Sequence, residues 1–482
     1  MIVEEILVKG EGGREKGNPP GREGRAEGAG WTSPFSLLSS LFSKKDFARG
    51  IHPASYKGGL DQPIRRMPFP RKLVLPLAQH IGKPATPLVA VGQEVLRGQP
   101  IASANGPLSV PIHAPADGVV EAIALQPSAR GAWTESIVLR VFEASVQEMG
   151  WSQPLDIDAL DHAQLIAAIQ ASGLVGLGGA AFPSHAKFDV PAQHSVHTLI
   201  VNGCECEPYL TCDYKLMREW PQDLIAGTRI AMRASGAQRA VIGVEDNKLD
   251  ALEAIRPHLP ADGSITLQAV ATKYPQGAEK MLIKSLLGLD VPAGGLPVQL
   301  GIVVNNVGTL ALLGRLLPQG QGLIERVVTL AGPGIKRPGD YWIPLGTTLR
   351  SILDWAGNPE CGEREVILGG PMMGQAASSL DIPVTKGTSG ILVFDKRMLE
   401  PITQHSWACI HCSECVNACP MGLNPSQLGM LAGKLEFDEM AQQYHLGDCF
   451  ECGCCTYVCP SHIPLVQQFR AAKAFLRERK PL

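Results

Sequence analysis

The sequence lacks three things, and each absence narrows what it can be. No stretch reaches the roughly 18 to 20 uninterrupted apolar residues that a bilayer-spanning helix needs. The N-terminus carries no ordered series of positive charge, apolar run and small-residue cleavage site, so a secretory signal is not predicted. Strong net charge is also missing: 43 basic against 46 acidic residues leave -3, and no long basic block is interleaved with aromatics. Together these absences predict a cytosolic chain, able to dock on a membrane through partners, with no nucleic-acid partner.

What is present is size, with a concentration of cysteine at one end. At 482 residues the chain exceeds a single hydrophobic core, which predicts about three or four domains. Of 13 cysteines, nine fall in the last quarter at short regular spacings, which in a large signal-less chain favours metal binding over a disulfide scaffold. Cys204, Cys206 and Cys212 form a second group, and Cys361 stands alone.

Composition divides the chain. Residues 1–45 contain the Gly-rich, charged stretch "GEGGREKGNPPGREGRAEGAG", which cannot bury enough surface to order itself and is expected to be a disordered leader. Residues 46–150 hold short apolar runs broken by Gly and Pro, such as "LVLPLAQH" and "SIVLRVF", predicting a small all-β barrel or sandwich. Residues 151–325 alternate helical and strand segments; "HTLIVNG" and "RAVIGVED" read as buried parallel strands, and the domain as α/β. Residues 326–400 fit a small α+β module with a connector. Residues 401–482 read as mainly helical, with Leu428, Leu431, Leu435 and Met440 on one helical face.

The tail repeats itself. Cys409, Cys412, Cys415 and Cys419-Pro420 are followed forty residues later by Cys449, Cys452, Cys455 and Cys459-Pro460, both with x2-x2-x3 spacing. Three thiolates at i, i+3 and i+6 reach three corners of an iron-sulfur cube, and the fourth cysteine points at the other cluster. The expected sets are Cys409, Cys412, Cys415 with Cys459, and Cys449, Cys452, Cys455 with Cys419, giving two 4Fe-4S clusters. The competing reading is structural zinc, which typically uses two separated CxxC pairs. Cys454 does not fit the spacing and reads as a free thiol near the cluster.

Clusters carry single electrons and perform no substrate chemistry, so a flavin, which handles electrons singly or in pairs, is the expected converter. The segment "GLVGLGGAAFPSHAKF" supplies Gly176, Gly178 and Gly179, whose backbone admits a phosphate closely, and Lys187, which adds charge. Alone, such a loop is a common feature of proteins that bind nothing.

Taken together, "GLGGAAFPSHAKF", "LIVNGCECEPYL", "YPQGAEKMLI" and "VVNNVGT" resemble the flavin-binding motifs of the 51-kDa NADH-oxidising subunit of respiratory complex I. Their order with "GIHP", "PLAQHIG", "PIHAPADGVV" and the double cysteine tail is similar to that of the C subunits of Rnf (Rsx) electron-transport complexes, over about residues 46 to 482. The resemblance implies an N-terminal barrel-sandwich hybrid, a Rossmann-like FMN domain, a β-grasp (SLBB) module and an α-helical dicluster ferredoxin. It also implies that Gly176, Gly178, Lys187, Asn202, Glu205, Asn305, Asn306 and Thr309 hold FMN. Phe182 and Glu207 fall where the family meets NADH. Departures accompany the match: the family's acidic pair becomes Ala278-Glu279, and an aspartate position becomes Cys204.

The reading that follows is a peripheral subunit on the cytoplasmic face of the inner membrane, passing electrons from NADH via FMN to two clusters and on to integral membrane subunits. Ion translocation is coupled to the flow, which is reversible toward ferredoxin. Hydride transfer needs no acid or base, only positioning; Glu205 and Glu207 are expected to set charge near the two rings. The rivals are a soluble NADH-dependent flavin/iron-sulfur oxidoreductase and an electron relay without NADH oxidation. The group Cys204, Cys206 and Cys212 is expected to pack rather than bind metal, and His52, His80 and His113 to make structural hydrogen bonds.

Overall fold

The computed structural model describes residues 45–58, 62–129, 131, 133–191, 193–357, 364–395 and 405–479. Residues 1–44 of the expected leader and Cys361 lie outside these residues, whereas Lys45, placed at the leader's end from sequence, is described and bridges to Val270. Among the described residues no helix is long and apolar enough to cross a membrane.

Alternation of apolar and polar residues builds the first unit from two antiparallel sheets. Lys72–Pro76, Trp133–Val141, Gly118–Pro127 and Glu94–Val95 form one in that order; Thr86–Pro87, Pro100–Ser103 and Ile112–His113 form the other. Leu73, Leu75, Ile101, Ile112, Ile137 and Leu139 close the core between them with no solvent exposure. His80 lies buried there, with Nε2 against Lys83 O (3.0 Å) and Ser109 Oγ (3.2 Å), as a structural hydrogen-bonding residue should be.

The second unit is a four-stranded parallel sheet in the order Ile265–Val270, Arg239–Glu245, Thr198–Gly203, Ile302–Asn306. The apolar strand runs read from sequence are buried by helices on both faces, Pro221–Ser235 and Val307–Leu316 on one and Glu279–Leu287 on the other. The chain moves outward from Thr198–Gly203 through two strands and then returns with Ile302–Asn306 on the other side. The C-terminal ends of these two neighbours therefore form a topological switch point, where open α/β sheets leave a ligand crevice.

The third unit is a mixed six-stranded sheet: Arg65–Arg66, Gly339–Pro344, Glu325–Ala331, Gly390–Asp395, Arg364–Leu368 and Gln375–Ala376, with the helix Leu349–Trp355 packed on it. Its edge strand Arg65–Arg66 comes from the stretch grouped by sequence with the β domain. It carries no alternating pattern of its own and pairs with Tyr341 and Trp342 only in the folded chain. Glu325 joins Arg66 of its own sheet (2.5 Å) and Arg97 of the β unit (3.0 Å), the second pair tying the two units together.

The tail is helical: Glu414–Ala418, Pro425–Gly433, Phe437–Gln442, Cys454–Tyr457 and Leu465–Glu478. Leu428, Leu431 and Met440 are buried as expected, but Leu435 is 73% exposed. The helix ends at Gly433, and Leu435 sits at φ 61° in the break before Phe437–Gln442, so the expected single apolar face is two faces with Leu435 between them.

Candidate flavin and iron-sulfur site

At the switch point a cavity of 650 Å³ opens between the sheet and the tail, within the range of small-molecule and cofactor sites. Gly176, Gly178, Phe182 and Lys187 wall one side, Asn202, Glu205 and Glu207 the floor, and Glu279, Asn305 and Asn306 the strand ends. Gly179 and Thr309 are not among its lining residues. Thr309 is fully buried and its hydroxyl accepts from Leu177 N (2.9 Å), so it holds the glycine loop from behind.

Several expected ligand contacts are engaged within the chain. Asn202 donates to Gly277 O (2.8 Å) and accepts from Cys204 N (3.0 Å), bracing the loop opposite. Lys187 pairs with Glu279 at 2.9 Å on the partly exposed rim. Glu205 accepts from Asp213 N (3.0 Å), Tyr214 N (3.2 Å) and the Cys212 thiol (3.4 Å), capping the helix Cys212–Glu219. Glu207 accepts from the amides of Met372 (3.0 Å) and Met373 (2.9 Å). Neither carboxylate is free of partners; each occupies the cavity wall while fixing a neighbouring turn.

Electrostatics follow from this burial. Desolvation pushes the Glu207 carboxyl up to about 7 against the opposing pull of the Met372 and Met373 amides. Burial, reinforced by the nearby Glu205 charge, lifts Asp213 to about 7, while Asn306 Nδ2 at 2.6 Å opposes the shift. Burial also raises the Cys206 thiol to about 12, so it stays protonated. Glu205, Cys212 and Asp213 lie within 4.8 Å of one another, but their hydrogen bonds into the helix terminus explain the grouping without a metal.

The cavity fits a flavin mononucleotide. Asn305 Nδ2 and Ser184 Oγ on its lining are buried with no hydrogen-bond partner among the described residues, and a polar ligand would satisfy them. The N-terminus of the helix Glu279–Leu287 has no side-chain cap and opens on the cavity at Ala278, Glu279 and Lys280. Lys280, Ser184, Asp213 and Tyr274 were not singled out from sequence. The signal that could have found Lys280 is a basic residue at the expected start of the helix that follows "YPQGAE".

The cysteines gather in two places. Cys409, Cys412, Cys415 and Cys459 line one cavity of 200 Å³. Cys419, Cys449, Cys452 and Cys455 line a smaller one together with Cys454. All nine are free thiols, and soft sulfur donors in fours suit iron-sulfur clusters. The register of the loops supplies the geometry: His411, Ser413 and Glu451 take positive φ, curling each cysteine loop inward before its helix. Gly447, Asp448, Cys449 and Phe450 reach further and wall the larger cavity, so the second cysteine site abuts the candidate flavin site.

These features define a flavin- and iron-sulfur-bearing electron carrier, and comparison with known protein families agrees. The family model for the RnfC barrel sandwich hybrid domain matches residues 45–142, the Nuo51 FMN-binding domain residues 169–315, and a 4Fe-4S dicluster domain residues 405–463. The C subunit of the proton-translocating ferredoxin:NAD(+) oxidoreductase complex of Clostridium ljungdahlii is 40% identical over 84% of this chain and 88% of its own. Its counterpart in the Na(+)-translocating complex of Acetobacterium woodii is 38% identical over 81% and 90%. The C subunit of the Pasteurella multocida ion-translocating oxidoreductase complex is 40% identical over 90% of this chain, which spans 52% of that longer protein. A chain of an NAD+-reducing [NiFe]-hydrogenase aligns over 65% of this one and 62% of its own, at a TM-score of 0.47 and 23% identity. The chain belongs to the family of C subunits of Rnf-type ion-translocating oxidoreductase complexes.

Proposed function

We propose that the chain is a peripheral subunit, on the cytoplasmic face of the inner membrane, that passes electrons from NADH through FMN to two 4Fe-4S clusters. From there they go to integral membrane subunits, coupled to ion movement and reversible toward ferredoxin. One observation carries the reading: Cys449 and Phe450 of the tail line the same cavity as Gly176 and Lys187 of the flavin fold. A flavin held there lies against the loop that would bind a cluster.

FMN, when bound, supplies hydride acceptance from a nicotinamide and release of electrons one at a time. The residues position it. Backbone around Gly176 and Gly178, with Lys187 and Lys280, offers the phosphate its donors and charge. Asn305 and Asn306, on the cavity lining, would hold the sugar-like chain, while Glu205 and Asn202 fix the loops around the cavity. Phe182, at the rim, is assigned the nucleotide. Glu207 acts at the wall by holding the Met372 and Met373 turn. Clusters of the sets Cys409, Cys412, Cys415, Cys459 and Cys419, Cys449, Cys452, Cys455 complete the relay. The sheet from residue 325 is assigned as the β-grasp (SLBB) module.

The test is anaerobic purification with iron, sulfide and flavin quantified, followed by NADH. About eight irons and one flavin per chain are expected, with bleaching of flavin absorbance and copurification with integral membrane proteins. Zinc without visible colour overturns the cluster assignment, and failure of NADH to bleach bound flavin overturns the dehydrogenase role.

A further inference from the structure

Tyr274 stands where the flavin cavity meets the second cysteine site. The residue is among those lining the cavity, yet it is only 1% exposed and packs with Ile51, Met372, Ala418 and Cys454. Its hydroxyl donates to the carbonyl oxygen of Cys452 at 2.6 Å. Its backbone is pinned from the other side: Ile51 N donates to Tyr274 O and Tyr274 N to Ile51 O, both at 2.9 Å. A tyrosine fixed at both ends and touching both candidate redox sites is better placed than a generic core residue, whose hydroxyl would be a liability in an apolar cluster.

We propose that Tyr274 is a positioning residue that couples the flavin cavity to the iron-sulfur site of Cys419, Cys449, Cys452 and Cys455. It holds the Cys452 loop at a fixed separation and tunes the cluster through its O–H donor. The inference rests on the flavin and dicluster reading above. Its physical basis is that a cluster gains one negative charge on reduction. A donor bonded to the carbonyl of a ligand residue, in a water-poor setting, offsets the negative end of that carbonyl's dipole beside the site and would stabilise the reduced form of a bound cluster. The potential of this cluster is therefore higher with the hydroxyl than without it. The cluster of Cys409, Cys412, Cys415 and Cys459 has no such contact with Tyr274 and keeps its potential.

The test uses the full chain, purified anaerobically with flavin and iron loaded, titrated with dithionite and followed by EPR. Tyr274→Phe keeps the ring and removes the donor. One of the two reductive waves should move to more negative potential, the other staying in place, with flavin and iron content unchanged. Incorporation of a fluorinated tyrosine at 274, a stronger donor of nearly the same shape, should move the same wave the opposite way. This second protein decides the matter if Tyr274→Phe loses iron. Fully loaded proteins whose two waves match the wild type would overturn the coupling role and leave the cofactor assignment standing. A wild-type chain without clusters would overturn both, and the iron and flavin analysis distinguishes the two failures.

Discussion

Lys386 places its ammonium group where three units of the chain meet. Fully buried, it donates to Pro111 O of the β unit (2.7 Å) and Gly173 O of the flavin unit (2.6 Å). Desolvation lowers its pKa to about 7, and the same burial with the Lys386 charge holds His113 down to about 3. The sign of the linkage is fixed: between pH 7 and the ordinary lysine value, the unfolded chain binds a proton that the native chain has released. Stability therefore rises with pH across that window, by about 1.4 kcal/mol per pH unit from this group. Denaturant unfolding at pH 7, 8 and 9 should show the rise, and Lys386→Met should flatten it. At the same scale, Cys454 is fully buried beside the four cysteines of the second site without belonging to the repeat. Cys454→Ala is expected to keep all the iron, and Cys455→Ala to lose about half of it by iron and sulfide analysis. The reverse result would place the register one residue away.

At the scale of elements, the segment around the "GIHP" motif is a strap whose role no local pattern announces. Lys45 bridges to Val270, Ile51 pairs with Tyr274, and Gly50 N donates to Ala418 O (3.2 Å). Ala418 ends the helix that carries Cys415 and precedes Cys419, so the strap ties one ligand of each cysteine set to the flavin unit. Gly50 has φ 82°, and a Cβ there would stand 2.6 Å from Tyr274 O. Gly50→Ala should cost about 1–3 kcal/mol of local strain and loosen the tail, seen as faster amide exchange over Glu414–Ala418 with the β unit unaffected. The β strands, the parallel strands and the two cysteine loops were legible because their signals are local: alternation, apolar runs ending in Gly or acid, and fixed cysteine spacing. The strap, the Arg65–Arg66 edge strand and the exposed Leu435 were not, because each is decided by a partner far away in the chain. The cavity lining divides the same way. Gly176 and Lys187 belong to a readable loop, whereas Asp448 and Phe450 reach the cavity only when the tail folds back.

Over the whole molecule, the question is what keeps the tail against the flavin unit closely enough for electrons to cross. The helix Leu465–Glu478 answers in part, through its basic side chains. Arg470 pairs with Glu451 (3.2 Å) in the second cysteine loop and donates to Met373 O (3.1 Å). Lys473 pairs with the same Glu451 (3.1 Å) and donates to Cys449 O. Met373 is in turn held by Glu207, so a chain of contacts runs from the flavin wall through Met373 and Arg470 to Glu451 and Cys449. Further joints, Gly294 N to Asp448 Oδ1 (3.1 Å) and Tyr274 to Cys452, share the load. Because Arg470 and Glu451 are about a quarter exposed, removing their pairing should cost only about 1 kcal/mol, too little to unfold the tail. Arg470→Ala is therefore expected to retain flavin and iron and to accept electrons from NADH at the wild-type rate. Transfer onward from flavin to clusters should slow several-fold, because the loop spends less time at its closed distance. Anaerobic stopped-flow separates the two steps by their spectra. An Arg470→Ala protein that reduces its clusters as fast as wild type would show that the remaining joints alone fix the separation.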